Sequence, residues 1–226
     1  MFILLSAAIA PALALLSFFY LRNQMDTEPR RTLLHAFIYG AIITFPVLFI
    51  QFILKEEQTF SNPFMLNVMF TSSIEEFVKW LIILAVILRQ IEFDDPYDGV
   101  LYGAAVSLGF ATVENIIYLL SFGIDQAFMR AILPVSSHAL FGVVMGYYYG
   151  KAKFTSEVIQ KNFIALALLA PIGLHIIYNS ILMLEEEFFI YAMLPFMLFL
   201  WWFALRKVKQ AHEHLIEHLA RQHEHP

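Results

Sequence analysis

The sequence predicts an all-α, polytopic membrane helix bundle of about seven transmembrane helices. Three observations carry that reading. The 226 residues are 60% hydrophobic and only 15% charged, where a soluble domain is about half apolar and a quarter charged. So few charges cannot cover a water-exposed surface. Seven stretches are long and apolar enough to cross a bilayer, which takes roughly 20 residues each. The Lys and Arg residues between them fall almost entirely on one side.

The seven stretches are residues 2–21, 33–54, 64–88, 97–120, 127–149, 163–184 and 188–206. The first reads as a retained helix rather than a signal peptide. No Lys or Arg precedes it, and its apolar run exceeds a usual signal core. With the N-terminus outside, eleven Lys and Arg lie in cytoplasmic segments, two (Lys55 and Arg130) lie outside, and Lys79 lies within a span. That bias puts the N-terminus outside and the C-terminus in the cytoplasm. All connections are short, so residues 1–210 are expected to form one transmembrane domain. Residues 211–226 form a polar cytoplasmic tail with five of the eight His, read as solvated, with a helical extension of the last span as one form of it. His214 and His218, four apart, suit a metal only weakly.

Composition also excludes functions. There is no Cys, so disulfides, thiolate nucleophiles and Cys-ligated metals are ruled out. A net charge of −5 gives no basic surface for nucleic acid.

Charge in mid-membrane is expensive, about 2.5–3.5 kcal/mol per residue on insertion scales, and is functional by default. Span three carries Glu75, Glu76 and Lys79. Span four carries Glu114 with Asn115, span five His138, and span six His175 with Asn179. Counting helix rise from the outer ends puts Glu75 and His138 about 16 Å deep, His175 about 13 Å and Glu114 about 9 Å. Four helices therefore set their polar groups in one band, as a shared cavity opening outward would need. Lys79 sits three residues from Glu76 and four from Glu75, so it can pair with either. Adjacent residues point about 100° apart on a helix. One Glu is thus expected to face the cavity and the other to hold a neighbouring helix. His175 and Asn179 share a face, placing two donors toward one oxygen, as an oxyanion site would. The small-residue faces Gly99/Gly103 and Gly142/Gly146/Gly150 predict close helix packing.

Carboxylates with imidazoles, and neither Cys nor a Ser–His–Asp pattern, favour hydrolysis by activated water. One version is metal-free: a Glu takes the water proton, with His175 and Asn179 holding the oxyanion. In the other, a zinc is held by His138, His175 and one of Glu75, Glu76 or Glu114, while a second Glu is the base. The residues leave both open, with the metal-free version favoured and no cofactor required. A proton- or ion-coupled transporter could use the same carboxylates, but no internal repeat is visible.

Together, EExxK at Glu75–Lys79, FxxxEN at Phe110–Asn115, His138 with Gly142, and the His175–Asn179 pair resemble the PrsW intramembrane proteases, related to the CAAX prenyl-protease and bacteriocin-processing family. The resemblance runs over nearly the whole chain, including YDGVLYGAAVSLGFATVEN and MLPFMLFLWWFALRK. It implies a bacterial plasma-membrane protease making the first, extracytoplasmic-side cut in a single-pass anti-sigma factor, the start of a cell-envelope stress response. It also implies Glu75, Glu76 and His175 as the first essential residues, then Glu114 and His138, with Lys79, Asn115 and Asn179 supporting. The prenyl-protease branch has a His where this chain has Glu114, so its imidazole must be replaced here, with His138 as the candidate.

Overall fold

A computed structural model describes residues 1–22, 30–89 and 92–224. Among them every regular element is helical. Helix α1 spans Phe2–Arg22, α2 Arg30–Glu56 and α3 Thr71–Ile82. Helix α4 spans Asp98–Phe122, α5 Ala127–Arg130 and α6 Ser136–Lys153. Helix α7 spans Glu157–Leu182 and α8 Glu186–Glu224. Three π-helical segments join them without a break in winding. Met65–Phe70 leads into α3, Ile83–Ile87 follows it, and Ala131–Val135 links α5 to α6.

Among the described residues, six helices are long and apolar enough to cross a membrane. The stretch Met65–Ile87 is helical throughout, but it is divided by its π segments and carries Glu75, Glu76 and Lys79. Expected span ends hold within a few residues except at the start of the sixth, where the helix begins at Glu157 rather than 163, and at the last. There the helix passes the apolar run and continues to Glu224. Val208, Ala211 and Leu215 recur at helical spacing and are buried. The first part of the His-rich segment is therefore packed: His212 Nε2 lies 3.0 Å from the Arg22 carbonyl and its ring 4.2 Å from that of Tyr97. The side chain of His218, and His223 and His225, lie outside what the structure describes.

Helix α4 is the centre of the bundle, buried along most of its length. Its start is fixed by a capping box. Asp95 Oδ1 accepts the N–H groups of Tyr97 and Asp98, and Asp98 Oδ2 accepts those of Asp94 and Asp95. Pro96 sits between them, where a missing N–H costs nothing. Its end is Gly123 at φ 94°, a backbone that L side chains rarely adopt.

Lipid is as apolar as the helices, so packing and interhelical polar contacts must hold them together. Glycine supplies the packing, as the spacing predicts. A Cβ at Gly103 would lie 2.2 Å from the Gly142 carbonyl oxygen, and one at Gly146 1.9 Å from that of Gly99. Helices α4 and α6 therefore meet backbone to backbone. Gly40 and Gly109 bring α2 onto α4 in the same way. Polar ties set the remaining registers. Asn115 Nδ2 donates to the Ala8 carbonyl, Tyr149 OH to that of Trp80, and Trp80 Nε1 to that of Ile164. Such bonds average about 0.6 kcal/mol each inside a membrane. They locate helices more than they stabilise them. Large apolar side chains stay exposed around the outside, such as Phe45, Phe49 and Leu198, as lipid contact requires.

Candidate active site

Helices α3, α4, α6 and α7 converge where the sequence put its polar band. Glu75, Glu76 and Lys79 are buried on one face of α3. Their depth forces them to meet other polar groups. Lys79 Nζ donates to Glu76 Oε1 at 2.7 Å and to His138 Nδ1 at 3.0 Å, and it lies 4.4 Å above the Phe110 ring. The ammonium of a fully buried lysine is thus engaged on three sides. With Nδ1 accepting, the proton of His138 belongs on Nε2, which donates to Glu114 Oε2 at 3.0 Å. Across the site, His175 Nδ1–H donates to Glu76 Oε1 at 2.9 Å, which leaves Nε2 unprotonated.

The two adjacent glutamates divide as their angular separation predicts. Glu76 holds Lys79 and α7. Glu75 lines a cavity of about 160 Å³, with Glu114, His138, His175 and Asn179 also in its wall. The paired donors expected at an oxyanion do not point together. Asn179 Nδ2 donates to Ser72 Oγ, and His175 bonds Glu76, so each donor has its own acceptor. Asn115 is buried and turned to α1 and Arg130 rather than to the cavity.

Sequence reasoning missed two residues here. Gln51 of α2 donates its amide to Glu75 Oε1 at 3.1 Å. Arg130, counted only as an outer loop cation, donates Nε to Asn115 Oδ1, stacks 4.0 Å over Tyr118 and brings Nη2 to 3.7 Å from Glu114 Oε1. A polar residue three positions inside an apolar run was the available signal for Gln51.

The site suits a cation. One donor atom from each of Glu75, Glu76, His138 and His175 lies within 4.8 Å of every other. Oε2 of Glu75 and of Glu76 is buried without a hydrogen-bond partner, a costly state for carboxylate oxygens. Among the described residues, Lys79 pairs with Glu76 and Arg130 approaches Glu114, and Glu75 has no Lys or Arg within ion-pair distance. Imidazole and carboxylate donors are those that zinc takes in hydrolytic sites.

The profile of the PrsW family intramembrane metalloproteases matches residues 28–204. The chain belongs to the PrsW family. It is 47% identical over 211 residues to Protease PrsW of Bacillus subtilis (strain 168), covering 93% of this chain and 96% of that one. Protease PrsW of Geobacillus kaustophilus (strain HTA426) is also 47% identical, covering 93% of each. Protease PrsW of Clostridioides difficile (strain 630) is 28% identical over 88% of each chain. No solved structure matches. As a PrsW protein the chain is a membrane-embedded peptidase in a multi-pass bacterial membrane protein. Nothing here supports the ion-coupled transporter. The PrsW family's description as metalloproteases, with the four converging donors, weighs toward the metal-binding version and against the metal-free one that the residues alone favoured.

Proposed function

We propose that this PrsW protein is an intramembrane endopeptidase that makes the site-1, extracytoplasmic-side cut in a single-pass anti-sigma factor, beginning regulated intramembrane proteolysis in an envelope stress response. With it we propose seven crossings, counting Met65–Ile87 as the third, the N-terminus outside and the C-terminus cytoplasmic. Residues 1–210 then form the protease domain. The observation that carries the reading is the convergence of Glu75, Glu76, His138 and His175 donor atoms within 4.8 Å beside a cavity, in a chain of this family.

The proposed roles follow from the hydrogen bonds. His175 and Glu75 would be the stronger holders of a divalent ion, zinc by donor type. Glu76 orients the His175 ring by accepting a hydrogen bond from its Nδ1–H, as carboxylates behind metal-bound histidines do. His138 would be the weaker ligand, because its Nδ1 accepts from the Lys79 ammonium and its Nε2, which donates to Glu114, would have to give up its proton before binding. When His138 turns from Glu114, the Glu114 carboxylate is freed to act as base, steadied by Arg130. A divalent ion bound here supplies Lewis-acid polarisation of the scissile carbonyl and acidifies water. Glu114 takes the proton from the attacking water and delivers it to the leaving amine.

Cleavage of the membrane-anchored anti-sigma factor by purified protein in detergent, with and without phenanthroline, tests this. Cleavage on the extracytoplasmic side, lost with the chelator, is expected. An intact substrate under all conditions, with zinc supplied, sinks the proposal.

A further inference from the structure

A second cavity, of about 230 Å³, lies between α2 and the first π segment. Its walls mix apolar side chains (Leu48, Phe52, Leu66) with hydrogen-bonding ones (Gln51, Asn67). It borders the candidate active site in two ways. Asn67 and Thr71 line both cavities. Gln51, in the wall of the outer one, donates directly to Glu75. Phe52 is 60% exposed, so this cavity borders the lipid-facing surface rather than the bundle interior.

A transmembrane helix satisfies all its backbone groups internally, and irregular backbone persists at membrane depth only inside protein or beside water. A substrate must unwind before its peptide bond can be reached. The unwound residues then expose N–H and C=O groups that need partners. A receiving surface therefore needs amide-like groups interleaved with apolar contacts, as extended-peptide grooves have. The cavity beside α2 offers that mixture. Taken with the site cavity, it falls in the ~300–1,000 Å³ range of ligand pockets.

We propose that the cavity between α2 and the first π segment is the subsite that receives the unwound substrate backbone on one side of the cut bond, passing it by Asn67 and Thr71 to Glu75. This rests on the protease reading above and adds the route of entry. The substrate comes sideways from lipid between α2 and the start of the third helical stretch. It does not come through the α5–α7 side, where Leu182 lines the site cavity.

The absence of native Cys allows a direct test. Single Cys are placed at Leu48, Asn67 or Leu182 in a Glu75→Gln background, so that substrate is held but not consumed. The probe is a membrane-anchored anti-sigma factor carrying one Cys at successive positions around the cut. Disulfide crosslinks from Leu48→Cys and Asn67→Cys to a short run on one side of the cut are expected. Crosslinks from Leu182→Cys alone, or from none of the three, overturn the proposal. A second variant, Leu48→Trp in the otherwise unsubstituted protein, fills the cavity. It is expected to raise KM at least tenfold while kcat and bound zinc stay near normal, and an unchanged KM overturns the proposal. Failure of the anti-sigma reading looks different. The unsubstituted protein would then leave the anti-sigma factor uncut, and the same Cys series would be run on a single-pass membrane protein that it does cut.

Discussion

Glu76 Oε1 accepts the Nδ1–H of His175 at 2.9 Å, joining α3 to α7 at the floor of the site. The same oxygen takes the Lys79 ammonium at 2.7 Å. Glu76 is therefore committed to orientation, and Glu75 is left for the cavity. Glu75→Gln should abolish cleavage, because it removes a ligand charge. Glu76→Gln should lower metal affinity 10–100-fold, the usual cost of losing a group behind a ligand. Zinc titration of both purified variants separates the two. Equal zinc affinity in Glu76→Gln and the unsubstituted protein would contradict the orienting role.

Lys79 and Glu76 are both fully buried. Removing one partner of such a pair leaves an uncompensated charge and costs about 3–5 kcal/mol. Lys79→Met should lower the thermal midpoint in detergent sharply. The double variant Lys79→Met with Glu76→Gln should recover much of the loss. A double variant as unstable as the single would show that the ammonium does more than match Glu76.

The α4–α6 contact leaves no room for a side chain. Gly146→Val should destabilise by at least the ~1–3 kcal/mol of an overpacked core, since even its Cβ would lie 1.9 Å from the Gly99 carbonyl oxygen. Cleavage should fall with it, because α4 and α6 hold Glu114 and His138 against each other. Gly173→Ala is the control. Nothing lies within 4 Å of its Cβ position, and Ala is the better helix former by about 1 kcal/mol. A melting curve for each variant decides.

Metal removal should inactivate the protein, and one equivalent of zinc should restore it. His175→Ala should lose zinc outright, and His138→Ala should bind it more weakly. Elemental analysis of the three proteins checks this, and full activity in metal-free protein would return the site to the Glu/His mechanism without a cofactor.

The His-rich segment divides at Leu215. Truncation after Leu215 should change little. Truncation after Gln210 removes the buried Ala211 and Leu215 and the His212 contact with Arg22. It should lower the melting temperature while leaving kcat near normal at a permissive temperature. A large loss of kcat with an unchanged melting temperature would instead implicate the His cluster in the reaction.

The sequence made the polar band legible because charge is rare in lipid. Each buried Glu or Lys stands out against a 60% hydrophobic chain. Gly99, Gly103, Gly142 and Gly146 were equally plain, since four-residue spacing places them on one helix face. What it hid were neutral or locally explained groups. Gln51 costs less in lipid than a charge and so raised no alarm. Arg130 looked like an ordinary loop cation because its partners Asn115 and Glu114 are set by tertiary packing. The direction of Asn179 depended on Ser72, a hundred residues away in sequence. The last span was read short because hydropathy detects lipid contact, and α8 continues beyond it as a helix packed on protein.

The π segments at Met65–Phe70 and Ala131–Val135 stand one turn ahead of Ser72–Lys79 and of His138. Thr71 Oγ1 holds the first by donating to the Leu66 carbonyl, and Pro134 lies in the second. Each acts as an angular spacer. A π turn takes more residues than the 3.6 of an α turn, so one residue removed from a segment that kept its winding would turn one end of the helix against the other by somewhat less than the ~100° of an α-helical residue. Such a deletion would swing Glu75 or His138 out of the cavity without changing either residue. The chain length of the two stretches is thereby constrained as tightly as the identity of the residues they aim.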